Sequence, residues 1–425
     1  MKRTGRPSRY PAPAVILSIT LALGLSLALA WMICVRTLAD MLAAESPLDA
    51  LFWDPAHPVA LGNVATTELE RAGNDAERRV NARRAADYAG RLVARDPFAS
   101  GGLSLFGATQ DRLGAKPERV AKIMRVAGKN LPIDIVAHGW LYDYAARTAN
   151  AADMLTELDI LLRGRPSLGP KFVPSVLALL AARPEAEAGL VNLLAASPIW
   201  RSPFLFYLCT QPGDSDRLLR IFNRLRQTAA PPAMSEVGPL IDRLLAEQKV
   251  DQAYLLWVDS LPAERLTKLG LLYNHDFEYP LTGLPFDWRF VAAKGVAITV
   301  EGEEKRRKLN VEFQGGRVQF RNVSHLLVLA PGKYALNGVS QTEGLENARG
   351  LRWRLYCVAS TTVLAETSVV KGTTAPKRFR NEFVVPDAGC ELQNLVLEIP
   401  SRIASEEQVS GMASYSDLGI ESVAP

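Results

Sequence analysis

The 425-residue sequence has few of the side chains and none of the short motifs that carry most enzyme chemistry. Its four histidines are scattered, without the H-x-x-x-H or cysteine-paired spacing that places metal ligands on one face. No G-x-S-x-G, phosphate-binding-loop or G-x-G-x-x-G pattern occurs, so nucleophile-elbow hydrolysis and nucleotide binding have no support. We therefore predict that the protein is not an enzyme and has no catalytic residues, although sequence cannot locate paired carboxylates that meet only in the fold.

The chain also lacks the basic excess typical of nucleic-acid-binding proteins. Its formal net charge is +4, from 49 Lys and Arg against 45 Asp and Glu. Four of the basic residues lie at the extreme N-terminus: Lys2, Arg3, Arg6 and Arg9. Without them the charge is 4 − 4 = 0, so we predict no nucleic-acid partner.

Cysteine is rare, and its four positions differ in context. Cys34 and Cys209 lie in apolar runs and are predicted to be buried thiols. Cys357 and Cys390 lie in a strand-rich region that we assign to an oxidising compartment, where paired cysteines form disulfides. Closing a loop of about 33 residues contributes on the order of 3 to 4 kcal/mol.

One long uncharged apolar run, Ala14 to Val35, follows the basic N-terminus. About 22 residues of helix span roughly 33 Å, enough for a hydrocarbon core of about 30 Å. We therefore predict a cytoplasmic tail at 1–13 and a transmembrane helix at 14–35, with the remainder periplasmic in a bacterial inner membrane.

An alternative for this segment is a cleaved signal sequence. Ala28-Leu29-Ala30 has the small-x-small pattern that signal peptidase recognises, and cleavage would release the protein. The apolar run continues to Val35, which is longer than the usual apolar core of a signal sequence and favours a retained anchor.

Residues 36–269 are rich in Ala, Leu and Arg and carry turn signals at regular spacing. Prolines recur every 30 to 35 residues, at Pro97, Pro132, Pro166, Pro198, Pro232 and Pro262. Between them lies a second series, at Gly114, Asn150, Pro184, Asp214 and Lys249. The pattern predicts an array of helical hairpins whose apolar stripes are buried between neighbours.

Gly107 and Gly114, seven residues apart, match two glycines of tetratricopeptide repeats, and this region resembles that family. Related helical-hairpin arrays remain open. The resemblance implies a curved solenoid that binds a protein partner in its concave surface. We predict that Trp140, Trp200 and Trp257 fill gaps between helices rather than line a groove.

Residues 270–425 contain short alternating segments separated by turn signals, typical of an antiparallel β-sandwich or jelly roll. The predicted strands are Val296 to Val300, Leu309 to Phe313, Val318 to Val323, His325 to Leu329, Tyr334 to Val339, Leu351 to Val358 and Leu392 to Ile399. In the clearest of them, Trp353 and Leu355 share a core face, whereas Arg352, Arg354 and Tyr356 share the other.

Asn274 to Glu278, followed by Trp288, resembles the opening of carbohydrate-binding modules with the galactose-binding-like jelly-roll fold. Pro331 to Tyr334 and Tyr415 to Ile420 are similar to two later strands of that family. The resemblance implies a structural calcium held by Glu278 and Asp417. The chain has Ser416 where the family often has a second aspartate, and two ordinary surface carboxylates are the alternative.

The resemblance also implies a glycan-binding sheet face. We predict that Arg352, Arg354 and Tyr356 lie on it beside Gln319 and Arg321, where arginine forks suit an acidic polysaccharide. The alternative is a solvated face whose charge is balanced by Glu382 and Glu391.

Together these patterns predict an α-then-β multidomain protein: one N-terminal membrane helix, a tetratricopeptide-like solenoid and a C-terminal sandwich. We expect a non-catalytic periplasmic scaffold that binds a protein partner and a polysaccharide in exopolysaccharide or surface-polysaccharide assembly, without a cofactor other than the calcium. The alternative is a structural interaction factor of envelope assembly or secretion that binds no sugar. A third hypothesis is a degraded glycoside-hydrolase accessory.

Overall fold

A computed structural model describes residues 13–304 and 306–423, with helices followed by strands. The helices are α1 Pro13–Leu42, α2 Pro47–Trp53, α3 Pro58–Glu70, α4 Asp75–Arg95, α5 Gly102–Arg112, α6 Pro117–Asn130, α7 Ile135–Arg147, α8 Ala151–Gly164, α9 Gly169–Ala182, α10 Ala186–Ala195, α11 Arg201–Thr210, α12 Ser215–Arg226, α13 Met234–Ala246, α14 Val250–Val258 and α15 Ala263–Leu266. The strands are β1 Arg289–Phe290, β2 Val296–Glu301, β3 Lys308–Phe313, β4 Val323–Leu327, β5 Gly332–Glu346, β6 Arg352–Cys357, β7 Val363–Glu366, β8 Gly372–Val385, β9 Gln393–Glu398 and β10 Ser410–Ser422.

The predicted membrane segment is helical. Leu17–Leu42, within α1, is long and apolar enough to cross a bilayer, and the 18-residue stretch that carries this character is not buried in the protein. A membrane anchor and a signal sequence both have these properties. The basic residues between Lys2 and Arg9 lie outside the described part of the chain.

The helices pair as the turn signals predict. Five of the six prolines lie between two helical hairpins, Pro262 follows the last hairpin, and each residue of the second series lies in the turn inside a hairpin. Gly114 has φ +80°, a conformation that favours glycine, and it ends the turn after α5. Gly107 faces Met124 and Ile123 so closely that a β-carbon there would displace them, which explains its small size.

Local capping sets the limits of several helices. At the start of α4, Glu77 N donates to Asn74 Oδ1 at 3.0 Å and Asn74 N donates to Glu77 Oε2 at 2.9 Å, a reciprocal capping box. Asp134 caps α7 by accepting from the backbone N–H groups of Val136 and Ala137 at 3.0 Å each.

Contacts divide the chain into two compact units. The first comprises 1–193 with 198–200, and the second comprises 194–197 with 201–425. In the second unit α14 packs on the start of the β region. The ring centroids of Trp257 and Tyr273 are 5.0 Å apart, and those of Tyr254 and Phe286 are 5.3 Å apart. The domain limits 36–269 and 270–425 stay predictions.

In the described part of the second unit, ten strands form two five-stranded antiparallel sheets. The first sheet has the order β1-β4-β9-β6-β7, and the second has the order β2-β3-β10-β5-β8. The core includes the buried aromatic residues Trp288, Trp353 and Tyr415. The ring centroid of Trp353 lies 5.8 Å from that of Trp288 and 5.4 Å from that of Tyr415. The sandwich-like arrangement agrees with the sequence prediction.

The disulfide prediction is confirmed, because Cys357 and Cys390 are bonded with their Cα atoms 4.9 Å apart. Cys209 is buried as expected, whereas Cys34 is exposed on α1. Trp200 and Trp257 are buried and Trp140 is partly buried, as predicted for residues that fill gaps between helices.

One predicted strand is wrong. Val318 to Val323 is irregular up to the start of β4, because its backbone makes isolated bonds to different partners. Val318 N donates to the Glu407 carbonyl at 2.9 Å, and Ile399 N donates to the Phe320 carbonyl at 3.2 Å.

Candidate functional site

The outer face of the first sheet brings together most of the predicted glycan-binding residues. Side chains alternate along β6, with Trp353, Leu355 and Cys357 buried and the intervening residues half-buried. Because Arg352, Arg354 and Tyr356 occupy alternate positions, all three lie on the outer face, as the sequence predicted. The strand register places them opposite Glu398, Val396 and Asn394 of β9, respectively.

Three arginines converge on two glutamates of this face, which we call the arginine face and define by Arg321, Arg352, Arg354, Glu366 and Glu398. Arg352 donates to Glu366 Oε2 at 2.6 Å and, from Nε and Nη2, to Glu398 Oε1 at 3.3 and 3.1 Å. Arg354 lies 3.8 Å from each carboxylate. Arg321 Nε lies 3.4 Å from Glu398 Oε2. The face therefore carries three fixed positive charges against two negative ones.

Glu398 is the centre of this arrangement. It is 1% exposed, although it lies on an outward-facing position of β9, because the three guanidinium groups cover it. A buried carboxylate is tolerated only when it is paired and hydrogen-bonded. Glu398 therefore orients the arginines, whose side chains stay partly exposed.

Tyr356 extends the arginine face with an aromatic ring. The Arg354 guanidinium lies 5.4 Å from the ring centroid, within cation–π range. Asn394 Nδ2 donates to Tyr356 Oη at 2.9 Å. Among the described residues, Arg354 Nε and Asn394 Oδ1 have no hydrogen-bond partner, so two polar atoms beside the ring are unsatisfied.

Gln319 and Arg321 lie beside the C-terminal end of β9. Phe320, between them, is buried and its carbonyl bonds to Ile399, so its two neighbours point outward. Both are exposed. The predicted binding roles of these residues and of the three on β6 stay predictions.

The prediction that Glu382 and Glu391 balance the charge of the arginine face was wrong. Glu382 lies on β8 in the second sheet, where it is 3.6 Å from Arg380, and Glu391 is exposed in the loop before β9. The balancing residues are Glu366 and Glu398. They were missed because strand pairing, which sequence spacing does not reveal, places them opposite the arginines.

The predicted calcium residues lie in different surroundings. Asp417 is exposed, has φ +50° and lines a cavity of about 400 Å³ together with Asp276, His275 and Arg307. Glu278 is half-buried in the loop after Asp276. Among the described residues no group of three or more His, Cys, Asp or Glu is arranged to hold a metal ion.

The calcium-binding roles of Glu278 and Asp417 stay predictions.

A second candidate surface lies in the first unit. A groove of about 930 Å³ is lined by α3, by α5 and by the turns at 96–101 and 131–134. Its apolar residues include Val59, Leu105 and Ile133, of which Val59 and Ile133 are more than half exposed. Exposed apolar residues in a concave surface are typical of protein-binding sites.

Comparisons with known proteins concern 36% of the chain or less. No protein-family model and no curated protein matches it. A CBM4 carbohydrate-binding module is similar at 11% identity, over 36% of this chain and 99% of that structure, with a TM-score of 0.29. The CBM22-1 xylan-binding domain of Xyn10C from Paenibacillus barcinonensis is 14% identical over 36% of this chain and 93% of its own, with a TM-score of 0.25. A family 16 carbohydrate-binding module is 16% identical over 36% of this chain and 99% of its own, with a TM-score of 0.23.

Proposed function

We propose that the chain is a non-catalytic envelope protein, anchored in the inner membrane by α1, that binds an acidic polysaccharide with its arginine face. The observation that carries this proposal is the excess of guanidinium groups over carboxylates on a sheet face with a neighbouring tyrosine ring. The apolar length of α1 supports the anchor. The scaffold would act in exopolysaccharide or surface-polysaccharide assembly.

The chemistry of the face suits carboxylate-bearing sugars. A guanidinium is planar and presents its N–H donors as a rigid fork that matches a carboxylate. Glu398 and Glu366 hold Arg352 and Arg354 in place before any ligand binds, which lowers the entropy lost on binding. The Tyr356 ring offers an apolar surface to a sugar ring, and the Arg354 guanidinium lies beside it.

The test is affinity electrophoresis of the full detergent-solubilised chain through gels containing polygalacturonate, alginate or neutral xylan. We expect retardation in the acidic gels only. Arg354→Gln should weaken it about tenfold, equivalent to about 1.4 kcal/mol. Arg380→Gln is the matched control, because Arg380 is a partly exposed arginine of the second sheet. No retardation in any gel would contradict the proposal.

The groove in the first unit favours a second function, the binding of a protein partner. Its apolar lining and its volume of about 930 Å³ suit a peptide segment or helix. Crosslinking and purification from membranes separate the alternatives. Recovery of a polysaccharide polymerase or export component supports a role in polysaccharide assembly, whereas recovery of secretion or division proteins supports a structural interaction factor that binds no sugar.

A further inference from the structure

The anchor helix runs directly into the first compact unit without a linker. Ala39, near the end of α1, and Ala43, just after it, are buried against Ala50 and Ala60 of α2 and α3. Ala39 follows the last residue of the uncharged run, Val35, by four positions, or about 6 Å of helix. The headgroup layer of one leaflet is itself about 5 to 7 Å thick. The base of the first unit therefore lies at the membrane surface if α1 spans the bilayer.

Contacts with α1 show which end of the unit is the base. His57 Nε2 lies 2.8 Å from Asp40 Oδ1, so the turn between α2 and α3 lies level with Asp40. Asn63 Nδ2 donates to the Ala43 carbonyl at 2.9 Å. From His57 to Asn63, α3 therefore runs away from the membrane, as α1 does from Asp40 to Ala43.

The following helices alternate in direction. α4 returns to the base, because Arg91 Nη2 donates to the Pro55 carbonyl at 2.6 Å, whereas Arg84 faces Glu68 near the other end of α3. α5 then leaves the base, with Gly102 packed against Leu92. α6 packs beside α5 and comes back. The turns at 54–57, 96–101 and 131–134 therefore lie at one end of the unit.

These turns and the residues beside them carry exposed apolar side chains. Phe52 is 78% exposed, Phe98 80% and Ile133 72%, and Trp53 is 39% exposed. The turns at the opposite end have the sequences Arg71-Ala-Gly-Asn, Leu113-Gly-Ala-Lys and Thr148-Ala-Asn, in which Leu113, 37% exposed, is the largest apolar residue. The apolar residues are thus concentrated at the end where α1 leaves the membrane.

We propose that Phe52, Trp53 and Phe98 form a membrane-facing rim that inserts into the headgroup layer of the bilayer that α1 crosses. The inference rests on the proposed anchor. At this depth, large apolar and aromatic side chains move from water into the boundary between headgroups and acyl chains, where tryptophan is favoured. The rim would hold the first unit against the membrane at several points rather than at α1 alone.

Acidic and basic side chains near the rim balance, so membrane binding by the rim should not depend on the charge of the lipid headgroups. Asp54 and Asp96 accept bonds from the backbone N–H groups of Ala56 and Phe98, at 3.0 and 2.9 Å, and so shape the turns. With Asp134 they equal in number the arginines Arg36, Arg91 and Arg95, of which Arg91 contacts the Pro55 carbonyl and Arg95 ends α4. A zwitterionic phosphatidylcholine bilayer should therefore bind the rim as well as an anionic one.

The test uses the full chain in phosphatidylcholine nanodiscs, with an environment-sensitive fluorophore on single cysteines and lipids carrying a quencher near the headgroup or in the acyl chain. Native Cys34 in α1 reports the anchor. Phe98→Cys reports the rim in a Cys34→Ser background. Lys116→Cys, in the turn at the other end of the α5–α6 hairpin, is the matched control. Cys209 is 1% exposed and is not labelled in the folded protein.

We expect the label at 98 to lose most of its fluorescence to the headgroup quencher, and the label at 116 to lose little. If the Cys34 label is quenched and those at 98 and 116 behave alike, the rim proposal is overturned while the anchor stands. If the Cys34 label is not quenched, the anchor is wrong and the rim proposal fails with it.

Discussion

His325 should make the β-sandwich less stable in mild acid. The side chain is 2% exposed on β4, with its ring 5.0 Å from Trp288. Its two nitrogens lie 2.8 and 3.2 Å from the carbonyl oxygens of Leu326 and Tyr273, and a neutral imidazole donates to only one of them. Burial lowers its pKa from 6.5 to about 4, and this outweighs the opposing effects of the Asp287 charge and the two carbonyls.

The sign and size of the effect follow from proton linkage. The pKa of His325 is lower in the folded than in the unfolded state, so the unfolded state takes up the proton first as the pH falls. The stability is fully present above about pH 6.5 and is lost towards about pH 4. With these two pKa values, the loss between about pH 7.5 and pH 5 is about 2 kcal/mol.

Hydrogen exchange measured by mass spectrometry on the strands β4 and β9 of the full chain would test this. The free energy of opening, corrected for the intrinsic exchange rate, should fall by about 2 kcal/mol more in the native protein than in His325→Gln between about pH 7.5 and pH 5. His325→Gln is uncharged at both pH values, so carboxylates titrate in both proteins and cancel in the comparison. Equal pH dependence in the two proteins would refute the reasoning.

Three further predictions concern the second unit. Replacing Cys357 and Cys390 by serine should lower the free energy of unfolding of the sandwich by about 3 to 4 kcal/mol, measured by denaturant titration, because the 33-residue loop is no longer closed; an unchanged midpoint would contradict this. Glu398→Gln should cost about 2 kcal/mol in the same assay, because partly exposed guanidinium groups lose their buried counter-charge, and a neutral result would show that water replaces it. Gly411→Ala should lower the thermal midpoint by several degrees, because φ is +90° and the new β-carbon meets the Gly344 carbonyl; an unchanged midpoint would count against this.

Much of the helical half could be predicted, because the signals are local. The prolines and the other turn residues that recur at 30- to 35-residue intervals interrupt the helical pattern locally, and every turn predicted from them lies between two helices. The alternation in β6 is equally local, since one buried sheet face requires every second residue to be apolar. The sequence did not identify the repeat family, because the spacing of hairpins alone does not distinguish tetratricopeptide repeats from related helical-hairpin arrays.

Strands with weak alternation escaped prediction. β8 has the sequence GTTAPKRFRNEFVV and lies at the edge of its sheet, where charged residues and a proline are tolerated. Val318 to Val323 has the alternation of a strand but no neighbour to pair with along its length. Whether an alternating segment becomes a strand depends on a partner elsewhere in the chain.

The amino-acid sequence by itself determined the apolar helix, the order of helical and strand regions, the disulfide and the outward position of Arg352 and Arg354, because each depends on composition or on residues close in the chain. Only the tertiary structure decided that Glu366 and Glu398 bind those arginines and that the exposed apolar turns of the first unit lie at the end where α1 enters. Strand pairing and helix direction bring distant residues together, and neither can be counted along a sequence.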